Sequence, residues 1–164
     1  MDHIRRVVFG LGSNVGDREK HIDAAVEALG AVEGVHVMGV SPLYETAAEG
    51  GPPQGAFLNG AVLVLTAIEV HDLLRRALAI EAQLGRVRGE KNAPRTIDID
   101  LLWLEGEVVK TDELTVPHPR LPERAFALRP LLDLAPDARD FEQGTEFAEL
   151  AVAKITLRVV RDGR

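Results

Sequence analysis

A chain of 164 residues has room for one hydrophobic core, and residues 1–164 read as a single domain. Its net charge of −7 argues against a broad basic face for nucleic acid, and with no cysteine it can form neither a disulfide framework nor a zinc–thiolate centre. The apolar run before Ser13 is six residues long, too short for a signal peptide or a membrane span, so a cytoplasmic monomer with no membrane partner is expected.

Val7 to Leu11 reads as a short buried strand, followed by the polar turn S-N-V-G-D (13–17). Ile22, Ala25, Val26 and Leu29 fall at i, i+3, i+4 and i+7, the stripe of an amphipathic helix over 18–29 that ends at Gly30. Val35 to Tyr44 reads as one strand. The segment E-T-A-A-E-G-G-P-P-Q-G-A (45–56) has no periodicity and reads as a long loop, of the kind that is functional or mobile. Phe57 to Leu65 is a second strong strand. Thr66 and Glu69 are spaced for a capping box on a helix carrying Val70, Leu73, Leu74, Ala77, Ile80 and Leu84, closed by Gly85. A basic loop and a strand with two aspartates follow, with a turn near Glu105-Gly106. The proline-punctuated V-P-H-P-R-L-P (116–122) leads into a helix over 123–134 that Pro130 interrupts or restarts. A helix over 145–154 and a strand over 155–160 complete the chain. The order is β-α-β-β-α-β with C-terminal additions, that of a ferredoxin-like α+β sandwich whose helices cover one face of the sheet.

In the strand, Thr96, Asp98 and Asp100 share one face, and the two carboxylates stand about 6.5–7 Å apart along it. They repel unless a cation lies between them or water screens them. A lone D-x-D is more readily the acidic outer face of a half-exposed strand; the alternative is a magnesium site completed by substrate phosphates. The preceding G-R-V-R-G-E-K-N-A-P-R (85–95) holds Arg86, Arg88, Lys91 and Arg95 against Glu90. Alone, it is as readily a solvated basic loop as a phosphate site. Guanidinium groups delivered straight into paired carboxylates suit polyphosphate with magnesium, and the combination is far more specific than either half. G-L-G-S-N-V-G (10–16) has the wrong spacing for a dinucleotide fingerprint, and there is no P-loop motif. His118, between Pro117 and Pro119 and shortly before Arg120 and Arg124, suits a turn histidine or an anion contact equally.

These segments together resemble the 6-hydroxymethyl-7,8-dihydropterin pyrophosphokinase family of folate biosynthesis. The likeness runs through G-L-G-S-N (10–14), S-P-L-Y-E-T (41–46), F-L-N (57–59), E-A-Q-L-G-R-V-R (81–88), P-R-T-I-D-I-D-L-L (94–102) and V-P-H-P-R-L-P-E-R-A-F (116–126). It implies transfer of diphosphate from ATP to the hydroxymethyl oxygen of the pterin, with release of AMP. By the same resemblance Asp98 and Asp100 hold two Mg2+ ions, and Arg86, Arg88 and Arg95 close over ATP, with Arg86 and Arg95 counted as catalytic. Glu81, Thr115, His118 and Arg124 line the ATP site. Asn59 reads the pterin, Phe57 and Phe126 sandwich it, Asp98 lies beside it, and Thr46 and Ala47 contact it through the main chain. Ala47 stands where family members often have proline, Asn92 near a tryptophan of some members, and Glu113 where some have a basic nucleotide contact. A non-catalytic nucleotide or pterin sensor on the same fold and an acidic protein-interaction domain are the competing classes; presence of both acids, Asn59 and the phenylalanine pair favours the enzyme.

Overall fold

The computed structural model describes residues 3–86 and 94–164, so Arg88, Lys91 and Asn92 lie outside the described residues. The elements run β1 (Arg5–Ser13), α1 (Arg18–Gly30), β2 (Val35–Val40), β3 (Leu43–Thr46), β4 (Phe57–Thr66), α2 (Val70–Gln83) and β5 (Asp98–Leu104). After these come a small hairpin, β6 (Val109–Lys110) and β7 (Thr115–Val116), then α3 (Ala125–Leu134) and β8 (Arg158–Arg161). The main sheet has six strands in the order β5-β1-β4-β3-β8, with β2 also on β4, and its ladders are antiparallel.

The sheet has a core on each face. On one side Val7, Phe9, Leu11, Val62 and Val64 pack with the apolar stripes of α1 and α2, Ile22, Leu29, Leu73 and Ile80 among them. On the other, Val8, Ala61, Leu102 and Trp103 pack with Leu128, Leu131 and Leu132 of α3. Helices on one face therefore describes α1 and α2 alone, because α3 carries its own apolar stripe to the opposite side. Alternation along β1 feeds both cores, which is why the strand reads as continuously hydrophobic.

Several local expectations are corrected. The strand expected over 35–44 is two, because Pro42 has no N–H to offer the ladder. Ser41 bridges the break: its N–H donates to Ala61 O (2.9 Å) and its Oγ accepts from Ala61 N (2.8 Å). Beside this break a Cβ on Gly60 would lie 2.4 Å from Leu43 Cδ2, so a larger residue would have to displace the buried Leu43 side chain. Thr66 does not form a capping box. It ends β4, and Glu69 is the N-cap of α2, accepting from His71 N at 2.7 Å. Pro130 does not interrupt α3; it lies buried inside the helix, where packing of Pro130, Leu131 and Leu132 outweighs the hydrogen bond it cannot make. The helix expected over 145–154 is instead a pair of 3-10 turns, Phe147–Glu149 and Ala151–Lys154. Phe147, Leu150 and Ala153 recur every third residue, a 3-10 period rather than an α-helical one.

Candidate active site

The site lies on the α3 side of the sheet, where Gly10 and Gly12 leave the end of β1 without side chains. Gly12 is paired with Asn59 of β4 on one side and Asp98 of β5 on the other, and Gly10 is paired with Asp100. A Cβ on Gly12 would stand 3.1 Å from Asn59 Oδ1 and 3.5 Å from Phe57 Cδ1, and one on Gly10 3.0 Å from Leu102 Cδ1. The G-L-G of the sequence is thus a strand floor and not a strand-to-helix turn. Over this floor rise the acids of β5 and the amide of β4.

Two clefts meet there. The smaller, of about 510 Å³, is lined by Thr46 and Ala47 from the end of β3, Phe57 and Asn59 from β4, and Phe126 from the first turn of α3. Asn59 is 7% exposed and its Nδ2 donates to Thr46 Oγ1 at 2.6 Å, which turns Oδ1 toward Gly12 and the cleft. The Arg124 guanidinium lies 5.5 Å from the centroid of the Phe126 ring. The larger cleft, of about 1120 Å³, brings Glu81, Arg86, Thr115 and His118 together. Arg95, Asp98, Asp100 and Arg124 line both. Every expected site residue within the described residues therefore falls on one or both clefts.

Charge at the junction is closely arranged. Arg86 Nη1 donates to Asp98 Oδ1 (2.7 Å) and Glu81 Oε2 (2.9 Å), while Arg95 Nη1 donates to Asp98 Oδ2 (2.9 Å). Glu81, 3% exposed at the end of α2, also accepts from Ile99 N at 2.7 Å. It fixes both the strand carrying the aspartates and the arginine facing them. Asp100 is half-buried where the two clefts meet. Burial, then the charges of Asp98 and Glu81, push its carboxyl well above the usual carboxylate range, against the opposing pull of Arg95 and Arg86. Burial, then Arg124, lowers the pKa of His118, with Asp98 opposing. Its Nδ1 accepts from Arg120 N at 3.2 Å, so the neutral ring carries its proton on Nε2 and can donate it.

A crowded carboxylate such as Asp100 is relieved by a cation, and the oxygen donors suit a hard one. Among the described residues no cluster of three or more His, Asp or Glu side chains could hold a metal alone. Two carboxylates fit an ion that takes its remaining ligands from phosphate and water.

Other lining residues were not anticipated. Leu74, Leu78, Ile99, Leu101 and Leu114 give the larger cleft an apolar wall. Leu74 was read as part of the helix stripe, and Leu78 is 41% exposed. Glu49 lines the smaller cleft and pairs with Arg120 (3.3 Å) and Arg124 (3.4 Å). The period-two spacing of Gly10 and Gly12 was the signal for the floor; Glu49 had none.

Residues 8–136 match the model of the 7,8-dihydro-6-hydroxymethylpterin-pyrophosphokinase family. The chain is 44% identical over 150 residues to the 2-amino-4-hydroxy-6-hydroxymethyldihydropteridine pyrophosphokinase of Methylorubrum extorquens, covering 92% of this chain and 93% of that one. It is 44% identical over 126 residues to the enzyme of that name from Bacillus subtilis, covering 77% and 75%. A crystal structure of Plasmodium falciparum HPPK-DHPS with SDX-DHP superposes with a TM-score of 0.66 at 14% identity, over 92% of this chain and 45% of that longer one, a likeness of fold. Family match and relatives agree: the chain belongs to the 7,8-dihydro-6-hydroxymethylpterin-pyrophosphokinase family and is a diphosphotransferase of folate biosynthesis.

Proposed function

We propose that the chain transfers diphosphate from ATP to the hydroxymethyl oxygen of 6-hydroxymethyl-7,8-dihydropterin, releasing AMP, with the pterin in the smaller cleft and ATP in the larger. The observation that carries this is the shared wall: Asp98, Asp100, Arg95 and Arg124 border both clefts, so a group at the end of one meets a group at the end of the other. Asn59 Oδ1 suits the ring N–H donors of a pterin, and Phe57 and Phe126 supply aromatic faces. The apolar wall of Leu74, Leu78 and Leu101 suits a nucleobase.

Asp98 and Asp100 would hold two Mg2+ ions, which when bound neutralise phosphate charge and polarise the attacking hydroxyl. The pterin hydroxyl gives its proton to the Asp98 carboxylate, and its oxygen forms a bond to the β-phosphorus as the bond from that phosphorus to the AMP oxygen breaks. Arg86, Arg95 and Arg124, with the Nε2–H of His118, donate to phosphate oxygens as their charge shifts toward the leaving group. Arg88 is assigned the same task by resemblance. Two clefts that share a wall support a reading in which the reactants are held together, and positioning is most of what this chemistry requires.

The same reading takes residues 1–164 as one domain. Its β1-α1-β2-β4-α2-β5 succession, with sheet order β5-β1-β4-β2, supports a ferredoxin-like sandwich, and the hairpin, α3 and β8 are C-terminal additions. It works as a cytoplasmic monomer, with neither nucleic acid nor membrane as partner. Among the described residues no helix is long and apolar enough to cross a membrane.

The test is product analysis with ATP, magnesium and the hydroxymethyl pterin. AMP and pterin diphosphate should appear in equal amounts and only with all three present. ADP in place of AMP, or nucleotide hydrolysis without pterin dependence, would overturn the assignment.

A further inference from the structure

Asn14 closes the G-L-G-S-N motif and lines neither cleft. It is 9% exposed, yet its side chain and N–H make four hydrogen bonds to two separate segments. Nδ2 donates to Gln54 Oε1 (2.7 Å) and Gly55 O (3.1 Å). Oδ1 accepts from Arg95 N (2.8 Å), and the Asn14 N–H donates to Arg95 O (3.1 Å). Gln54 in turn donates from Nε2 to Pro52 O (3.2 Å), stiffening its own loop.

The two segments belong to different sides of the site. Loop 47–56 connects Thr46 to Phe57 and so carries walls of the smaller cleft. Arg95 lines both clefts and grips Asp98. Two further ties hold that loop: Arg18 to Ala56 O (3.1 Å) and Glu45 (2.8 Å) anchors its ends to α1, and Glu49 pairs at the surface with Arg120 (3.3 Å) and Arg124 (3.4 Å); neither reaches Arg95. Asn14 therefore joins the loop beside the smaller cleft to the backbone of Arg95, which borders both clefts.

We propose that Asn14 is a positioning residue that couples the two subsites energetically. A polyphosphate drawn to Arg95 settles the backbone at that residue, and through Asn14 it settles Gln54 and Gly55 as well. The loop is then already ordered when the second ligand arrives, so each ligand strengthens the other by the same factor. The inference rests on the assignment of ATP and pterin to the two clefts.

The test measures pterin affinity with and without magnesium and a non-hydrolysable ATP analogue, and the nucleotide affinity with and without pterin. Wild-type coupling of about tenfold is expected, in the usual range for linked sites. Asn14→Ala and Gln54→Ala should each bring it within about twofold of unity. Each ligand alone should still bind both variants within about twofold of wild type, which a merely structural role would not preserve. If Asn14→Ala fails to fold, Gln54→Ala decides, since it breaks the contact from the loop side. Coupling left intact in the folded variants overturns the inference while leaving the assigned function standing. A wild-type chain that binds neither ligand overturns the function reading and the coupling together.

Discussion

Gly12 and Asp98 face one another in register across β1 and β5, so the carboxylate stands over a strand that offers no side chain beneath it. Gly12→Ala would place a methyl group 3.1 Å from Asn59 Oδ1 and push the amide away. Pterin-dependent kcat/KM should fall at least about tenfold, ~1.4 kcal/mol in barrier, with affinity for the ATP analogue unchanged. Steady-state kinetics with each substrate varied in turn checks this; an unchanged pterin KM would place the ring elsewhere.

Asn59→Leu should likewise weaken pterin binding, by about 1–3 kcal/mol, because ring donors lose their acceptor in a buried position. Calorimetric titration with nucleotide alone should show no change. Parallel losses for both ligands would mean the two clefts have been misassigned.

Asp100 should limit stability when metal is absent. Its folded pKa lies above its unfolded value, so its contribution to stability is complete at acid pH and is lost as pH climbs above the ordinary carboxylate range. Asp100→Asn removes that loss. Without metal the variant should melt higher than wild type near pH 8.5 and be no more stable near pH 4, while its turnover falls below about a tenth. Thermal melts across pH decide it; a variant less stable than wild type near pH 8.5 would show that the charge is well accommodated.

The same carboxyl should make metal binding sensitive to acid. A proton and a cation compete for Asp100, so magnesium-dependent affinity for the ATP analogue should weaken from about pH 8.5 to about pH 6. In Asp100→Asn that dependence should flatten. Titrations at several pH values in chelated and magnesium-loaded buffer separate this from any titration of the nucleotide itself.

Glu81 holds Arg86 and Ile99 N at once while 3% exposed. Glu81→Leu leaves a buried N–H without its acceptor and should cost about 2–3 kcal/mol of stability. Glu81→Gln keeps an acceptor for Ile99 and should cost less than half of that, yet still impair turnover by releasing Arg86. Urea denaturation beside activity assays distinguishes the two roles, and equal stability losses would mean that packing alone is at stake.

Local pattern carried much of this into view. The stripe Ile22, Ala25, Leu29 and the stripe Leu73, Ala77, Ile80 announced α1 and α2 because burial repeats with the helical turn. Asp98 and Asp100 were conspicuous because acids interrupt a hydrophobic strand. The 3-10 turns near Phe147 and Ala153 were misread because a three-residue period resembles a helical one over so short a span. Glu49 and Asn14 stayed hidden for another reason. Their meaning lies in partners such as Arg124 and Arg95, far away along the chain and brought near only by the fold.

Because Gly12 is flanked in register by both Asn59 and Asp98, the sheet itself acts as a ruler between recognition and reaction. Two strand spacings, about 9.5 Å between backbones, separate the amide from the acid, and hydrogen-bonded ladders stretch very little. Reach is therefore set by a dimension that loop sequence cannot adjust. A homologous alcohol with one more methylene on its arm would bind its ring in the same slot and carry its oxygen past the acids.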